Sequence, residues 1–235
     1  LFDKTYSERE VKAVNNEHQK NKLNDGWRGN FVSQQISEPG HPLTMFGTGN
    51  QETLSGNNRP ALLDFYEKYY SASNMKLVLI SNIPMQSLFD IAKRYFSGIP
   101  SREVHVPSMP KIFRKPLKNQ FRLLKVKTIK DIRSLEVDFP TIRLNDYQNS
   151  KPAGIISSLI GHEGKGSLLS KLKEEGLVLS LSAGGGSSHP DINSFGISVS
   201  LTPKGLENYE RILELIFNYI RMIRDHGVDE YTFKE

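Results

Sequence analysis

The 235-residue chain is 37% hydrophobic and 9% aromatic, enough for one large or two modest domains with a buried core. It has no cysteine, which excludes disulfides, thiolate metal sites and cysteine nucleophiles, so any metal must use His, Asp or Glu. The net charge of +5 is concentrated between Arg102 and Lys130, where Glu103 is the only acid among nine Lys and Arg; with interleaved prolines and no aromatic-plus-glycine pattern, this reads as a solvated linker rather than a nucleic-acid surface.

No apolar run approaches the roughly 20 residues of a membrane-spanning helix, and no partner membrane is expected. The start on Leu1 and the unfinished helical pattern at Tyr231–Glu235 read as an internal segment of a longer protein. Ser7-Glu8-Arg9-Glu10 fits a capping box that opens a helix running to about Trp27. Residues 29–58, rich in Gly, Asn, Ser and Pro around Gly47-Thr48-Gly49-Asn50, predict a long ordered loop or a pair of short elements. Leu63, Tyr66 and Tyr70 have helical spacing over 62–70. Met75–Ser81 is an apolar run suited to a buried strand, and a helix follows over 85–96.

The Pro-rich, basic stretch 97–119 is the best domain boundary. Beyond it the pattern predicts strands over 121–128 and 134–139, then helices over 151–159 and 167–175, the last ending at Gly176. Strands over 177–182 and 195–201 flank a glycine-rich turn, Gly184-Gly185-Gly186. A final long helix places Leu206, Tyr209, Leu213, Ile216, Tyr219 or Ile220, and Ile223 on one face.

Glu10 and Glu17 are seven apart, nearly two helical turns, so both carboxylates share a face about 10 Å apart along the axis. One small site does not take both as direct ligands. Either one binds a metal while the other supports it from outside, or both belong to a solvated helix face. His162-Glu163 has no second histidine at metal spacing, and its glycine neighbours suggest a turn between helices.

Several segments carry a resemblance to a known family. They are Arg9-Glu10-Val11 through Glu17-His18, Asn24-Asp25-x-Trp27-Arg28, Phe46-Gly47-Thr48-Gly49-Asn50, Phe65-Tyr66-x-Lys68-Tyr69-Tyr70, Gly161-His162-Glu163-Gly164 and Ser200-Leu201-Thr202. In this order they cover nearly the whole chain, which closely resembles the insulinase/pitrilysin family of zinc metallopeptidases, with its bacterial branch nearest. The resemblance implies an α+β fold of two sheet-plus-helix layer units, the first incomplete at its N-terminus. Residues 1–105 would be the C-terminal part of a zinc-bearing domain, 106–118 a linker, and 119–235 a second, non-catalytic domain, incomplete at its C-terminus.

In that family an inverted His-x-x-Glu-His motif gives two zinc ligands and the general base, and a downstream glutamate completes the site. By motif position the metal ligand is Glu17 and Glu10 is the supporting carboxylate. None of the six histidines begins or ends such a motif, so the chain alone is expected to bind Zn2+ poorly and to cleave nothing. Matching family positions also make Gly161, Glu163, Leu181, Ser182, Ala183 and Gly184 candidates for docking a peptide substrate away from the zinc. Without the family, the same stretch reads as a structural hairpin with a flexible tip. The implied function is part of a zinc-dependent endopeptidase acting on oligopeptides or small unfolded proteins. The implied partners are peptide substrates and the N- and C-terminal parts of the same enzyme. The alternative is a peptide-binding or structural homologue that has lost catalysis.

Overall fold

The computed structural model describes residues 2–108, 110, 122–189, 192–228 and 230. The chain divides into two compact units, Leu1–Met109 and Pro110–Glu235. The helical pattern expected at Tyr231–Glu235 lies outside the described residues.

In unit 1, α1 (Lys4–Asn21) starts a turn earlier than the capping box suggests. Asp3 is the N-cap, its carboxylate accepting from the Thr5 N–H at 2.9 Å, and Ser7 lies inside the helix. Aspartate caps as well as serine, and the earlier start adds a turn of backbone bonds. The helix does not run through to Trp27. It stops at Asn21, and Asn24 caps α2 (Asp25–Gln34) by accepting from the Trp27 N–H at 3.2 Å. A side chain that competes for backbone donors breaks one predicted helix into two.

The Gly- and Asn-rich stretch that follows contains the end of α2 and a short 3-10 turn, Pro42–Thr44, capped by buried His41. Asn50 and Thr53 cap one another, with N–H to side-chain oxygen distances of 2.8 and 2.9 Å. Asn15 of α1 accepts from the Gln51 N–H at 3.2 Å and so ties this loop to the helix. Then come α3 (Arg59–Tyr69) and α4 (Met85–Phe96), both where the apolar spacing predicts them.

The strand expected over Met75–Ser81 does not form. Met75 is extended, with φ −108° and ψ 151°, but no ladder partner exists among the described residues of unit 1, and Ile80 is 93% exposed. A strand needs a neighbour as well as an extended backbone. The sheet expected in this half is therefore missing among its described residues, and so is a buried hydrophobic core.

Unit 2 combines helices with an antiparallel sheet, giving the chain its α+β character. Its strands are β1 (Ser134–Pro140), β2 (Val178–His189) and β3 (Ile192–Leu201), in the order β1-β3-β2. No strand forms in the described part of 121–128. The glycines Gly184–Gly186 continue β2 instead of turning, so the hairpin is longer than predicted. They can do so because each is paired across to β3, opposite Gly196, Phe195 and Ser194.

Alternation sets the two faces of the sheet. Leu135, Val137 and Phe139 on β1 line up with Val199, Ile197 and Phe195 on β3, and with Leu181 and Ala183 on β2. Against this face pack α5 (Pro152–Ile160), α6 (Leu168–Glu174) and, after the short α7 (Pro203–Glu207), α8 (Tyr209–His226). Ser167 caps α6 and Gly176 follows it with φ 70°. The long final helix breaks at Asn208, so Leu206 is half exposed, and the buried stripe is carried by Ile212 and Ile216 with Leu215, Tyr219, Ile220 and Ile223 beside them.

Candidate functional site

The candidate metal ligand lies on α1. Both Glu10 and Glu17 are exposed and share one face of a regular 18-residue helix, as the spacing requires. Neither takes part in a hydrogen bond or ion pair with a described residue, so both carboxylates are free to bind something else. One turn after Glu17, the Asn21 Nδ2 is buried without a hydrogen-bond partner. His18 points elsewhere: its ring meets Phe46 edge-on at 4.8 Å. Among the described residues no group of three His, Asp or Glu gathers as a metal set. Among the described residues the donor set therefore does not amount to a whole zinc site.

The six candidate docking residues fall in two places in unit 2 that the fold brings together. Gly161 is the C-cap of α5 and Glu163 is exposed in the turn that leads to α6. In that turn His162 Nδ1 accepts from the Gly164 N–H at 3.1 Å, which fits the sequence reading of a helix-to-helix turn. Leu181, Ser182, Ala183 and Gly184 follow one another on β2, with Leu181 in the core and Ser182 and Gly184 on the exposed face. A Cβ on Gly161 would lie 2.9 Å from the Ser157 carbonyl oxygen and 4.0 Å from the Ala183 nitrogen, so the end of α5 lies directly beside the strand.

Sequence reasoning missed Ser157, whose hydroxyl donates to the Ala183 carbonyl at 2.5 Å. Its position four residues before Gly161, on the same helical face, was the available signal. Asp138 on β1 is half-buried and pushed above the ordinary carboxylate range by desolvation. The Tyr219 hydroxyl donates to the Leu159 carbonyl at 3.2 Å and is pushed up by burial. On the outside of the helices, the Arg211 guanidinium hydrogen-bonds Glu175 and holds its carboxyl below the usual range.

The chain is similar to known proteins over its whole length. A family model described as "Peptidase M16 inactive domain" matches residues 58–235. Insulin-degrading enzyme of Drosophila melanogaster is 38% identical over 244 residues, covering all of this chain and 24% of the relative. Protease 3 of Escherichia coli is 36% identical over 243 residues, again covering all of the chain and 25% of that protein. The chain thus spans about a quarter of the length of the curated relatives it matches. Among solved structures, pitrilysin superposes with a TM-score of 0.83 at 33% identity, over the whole of this chain and 25% of its own.

Proposed function

The chain belongs to the peptidase M16 family, that of insulin-degrading enzyme and pitrilysin, and from that premise we propose that it is the part of a zinc-dependent endopeptidase supplying Glu17 as a zinc ligand. The observation that carries this reading is the exposed carboxylate of Glu17, without a partner among the described residues, on a regular helix in a segment aligned along its whole length with peptidases. Glu10, two turns earlier on the same face, is the supporting carboxylate. It orients a ligand or contacts substrate without entering the coordination sphere. The unpaired amide of Asn21 stands ready to fix the Glu17 carboxylate or another polar group of the site. The remaining ligands and the general base come from outside the described residues. Zinc, when bound, polarises the scissile carbonyl and acidifies its water.

Unit 2 contributes peptide docking in this reading. The edge of β2 at Leu181–Gly184 offers backbone groups to an extended peptide, and Glu163 offers a carboxylate to a free amino terminus. The family model that covers 58–235 is described as an inactive domain and leaves Glu10 and Glu17 outside its match, which favours a second reading: a peptide-binding homologue without catalysis.

Cleavage of a quenched fluorogenic peptide by the full-length protein separates the two. The enzymatic reading expects Glu17→Gln to abolish turnover, and Glu10→Gln to lower it roughly 10- to 100-fold, as loss of an outer-shell group does. A full-length protein that binds the peptide and never cleaves it would leave the second reading standing.

A further inference from the structure

In the order β1-β3-β2, β2 has a ladder partner on one side only among the described residues. Along an antiparallel strand the N–H and C=O of one residue point to the same side, and successive residues alternate sides. Ala183 sits opposite Ile197 within an unbroken register running from Ser180 to Ser187. Its carbonyl accepts from the Ser157 hydroxyl of α5, so it points away from β3. The Ala183 N–H must then face outward as well, and so must the backbones of Leu181 and Gly185. The edge is uneven at this residue. Gly161 has no side chain, and a Cβ there would lie 4.0 Å from the Ala183 nitrogen, while the Ser157 hydroxyl holds the carbonyl.

We propose that Ser157 is a positioning residue that gates this edge, an inference that rests on the peptide-docking reading of β2. A peptide adding as a strand accepts from the Ala183 N–H and donates its own N–H to the Ala183 carbonyl, which the Ser157 hydroxyl already holds. Docking therefore sets the peptide N–H in competition with the hydroxyl that already crowds this carbonyl, and binding is strongest when the hydroxyl rotates away. In the free protein the same hydrogen bond caps an exposed strand edge, which otherwise invites pairing with other chains. Serine suits both states because its single rotatable hydroxyl serves either the strand or, like other helical serines, the carbonyl one turn earlier on its own helix.

The test uses the full-length protein and a short peptide with a free amino terminus and a dye at its carboxyl end, with binding followed by fluorescence anisotropy. Ser157→Ala tightens binding roughly three- to tenfold, the scale of one net hydrogen bond, and leaves the thermal midpoint near that of the parent. Ser157→Thr, which keeps the hydroxyl, binds as the parent does. Unchanged or weaker binding by Ser157→Ala would overturn the gate. Glu163→Gln, an exposed substitution that does not threaten the fold, reports on the docking reading separately. If it weakens binding while Ser157→Ala does nothing, the gate alone fails. If it changes nothing, the docking reading on which the gate rests fails with it.

Discussion

Two helices with strongly amphipathic sequences end in opposite surroundings. In unit 2, α8 buries Ile212 and Ile216 completely, whereas in unit 1, α4 leaves Met85 80% and Phe89 61% exposed. The difference lies in what each faces. The stripe of α8 meets a sheet whose inner side presents Leu181, Val199, Ile197 and Leu135. In unit 1, the run that would make such a sheet, Met75–Ser81, has no strand beside it among the described residues, so its apolar side chains and those of α4 have nothing to bury against. An amphipathic pattern specifies a face, and burial needs a second surface. Unit 2 contains both surfaces within itself. The helix carrying Glu17 belongs to the unit that does not.

Core truncation should separate the units most sharply. Leu172→Ala, at a fully buried position in unit 2, should cost about 2–5 kcal/mol in urea unfolding of the 235-residue chain. Val78→Ala, 76% exposed in unit 1, should stay within about 0.5 kcal/mol. Equal losses would mean that unit 1 has a core of its own.

A glycine pair sharpens the same contrast at smaller amplitude. A Cβ on Gly205 would sit 1.9 Å from the Leu177 carbonyl oxygen, whereas one on Gly47 would meet nothing within 4 Å. Gly205→Ala is expected to lower stability by about 1–3 kcal/mol through forced backbone movement, and Gly47→Ala to leave the unfolding midpoint where it was.

The smallest effect is electrostatic and confined to unit 2. Arg211 donates to Glu175 and lowers its folded-state pKa, joining α8 to the end of α6. A depressed carboxylate pKa stabilises above the unfolded value, and that contribution disappears as the pH falls through the folded one. Thermal midpoints followed from neutral pH into acid should therefore drop a little less steeply for Arg211→Ala than for the parent. Because the pair is exposed, added salt should erase most of that difference.

Much of unit 2 was legible in the sequence because its local signals and its tertiary partners agree. Ser167 before an apolar helix, Gly176 after it, and alternating Leu135, Val137 and Phe139 all point to elements that the packing then keeps. Gly184–Gly186 misled because glycine suits a turn, while cross-strand pairing with β3 holds these residues in a ladder. In unit 1 the helices were legible and the strand was not, since a ladder depends on a neighbour that no local pattern reveals. The α1 cap was misplaced because Asp3 and Ser7 are both good caps, and only backbone geometry chooses between them. Of the candidate site, the shared face of Glu10 and Glu17 followed from helical period alone. The contact between Ser157 and Ala183 joins residues 26 apart in sequence, and locally only the helical face that Ser157 shares with Gly161 hinted at it.

The two carboxylates of α1 are proposed to have different duties, and metal content tests this directly. In the full-length protein, zinc measured by elemental analysis should fall to near zero in Glu17→Gln and stay close to the parent's in Glu10→Gln, because residues seven apart share a helix face and not a coordination sphere. Equal loss in both variants would mean that the two glutamates have been given the wrong roles, and full zinc retention by Glu17→Gln would contradict the account at its centre.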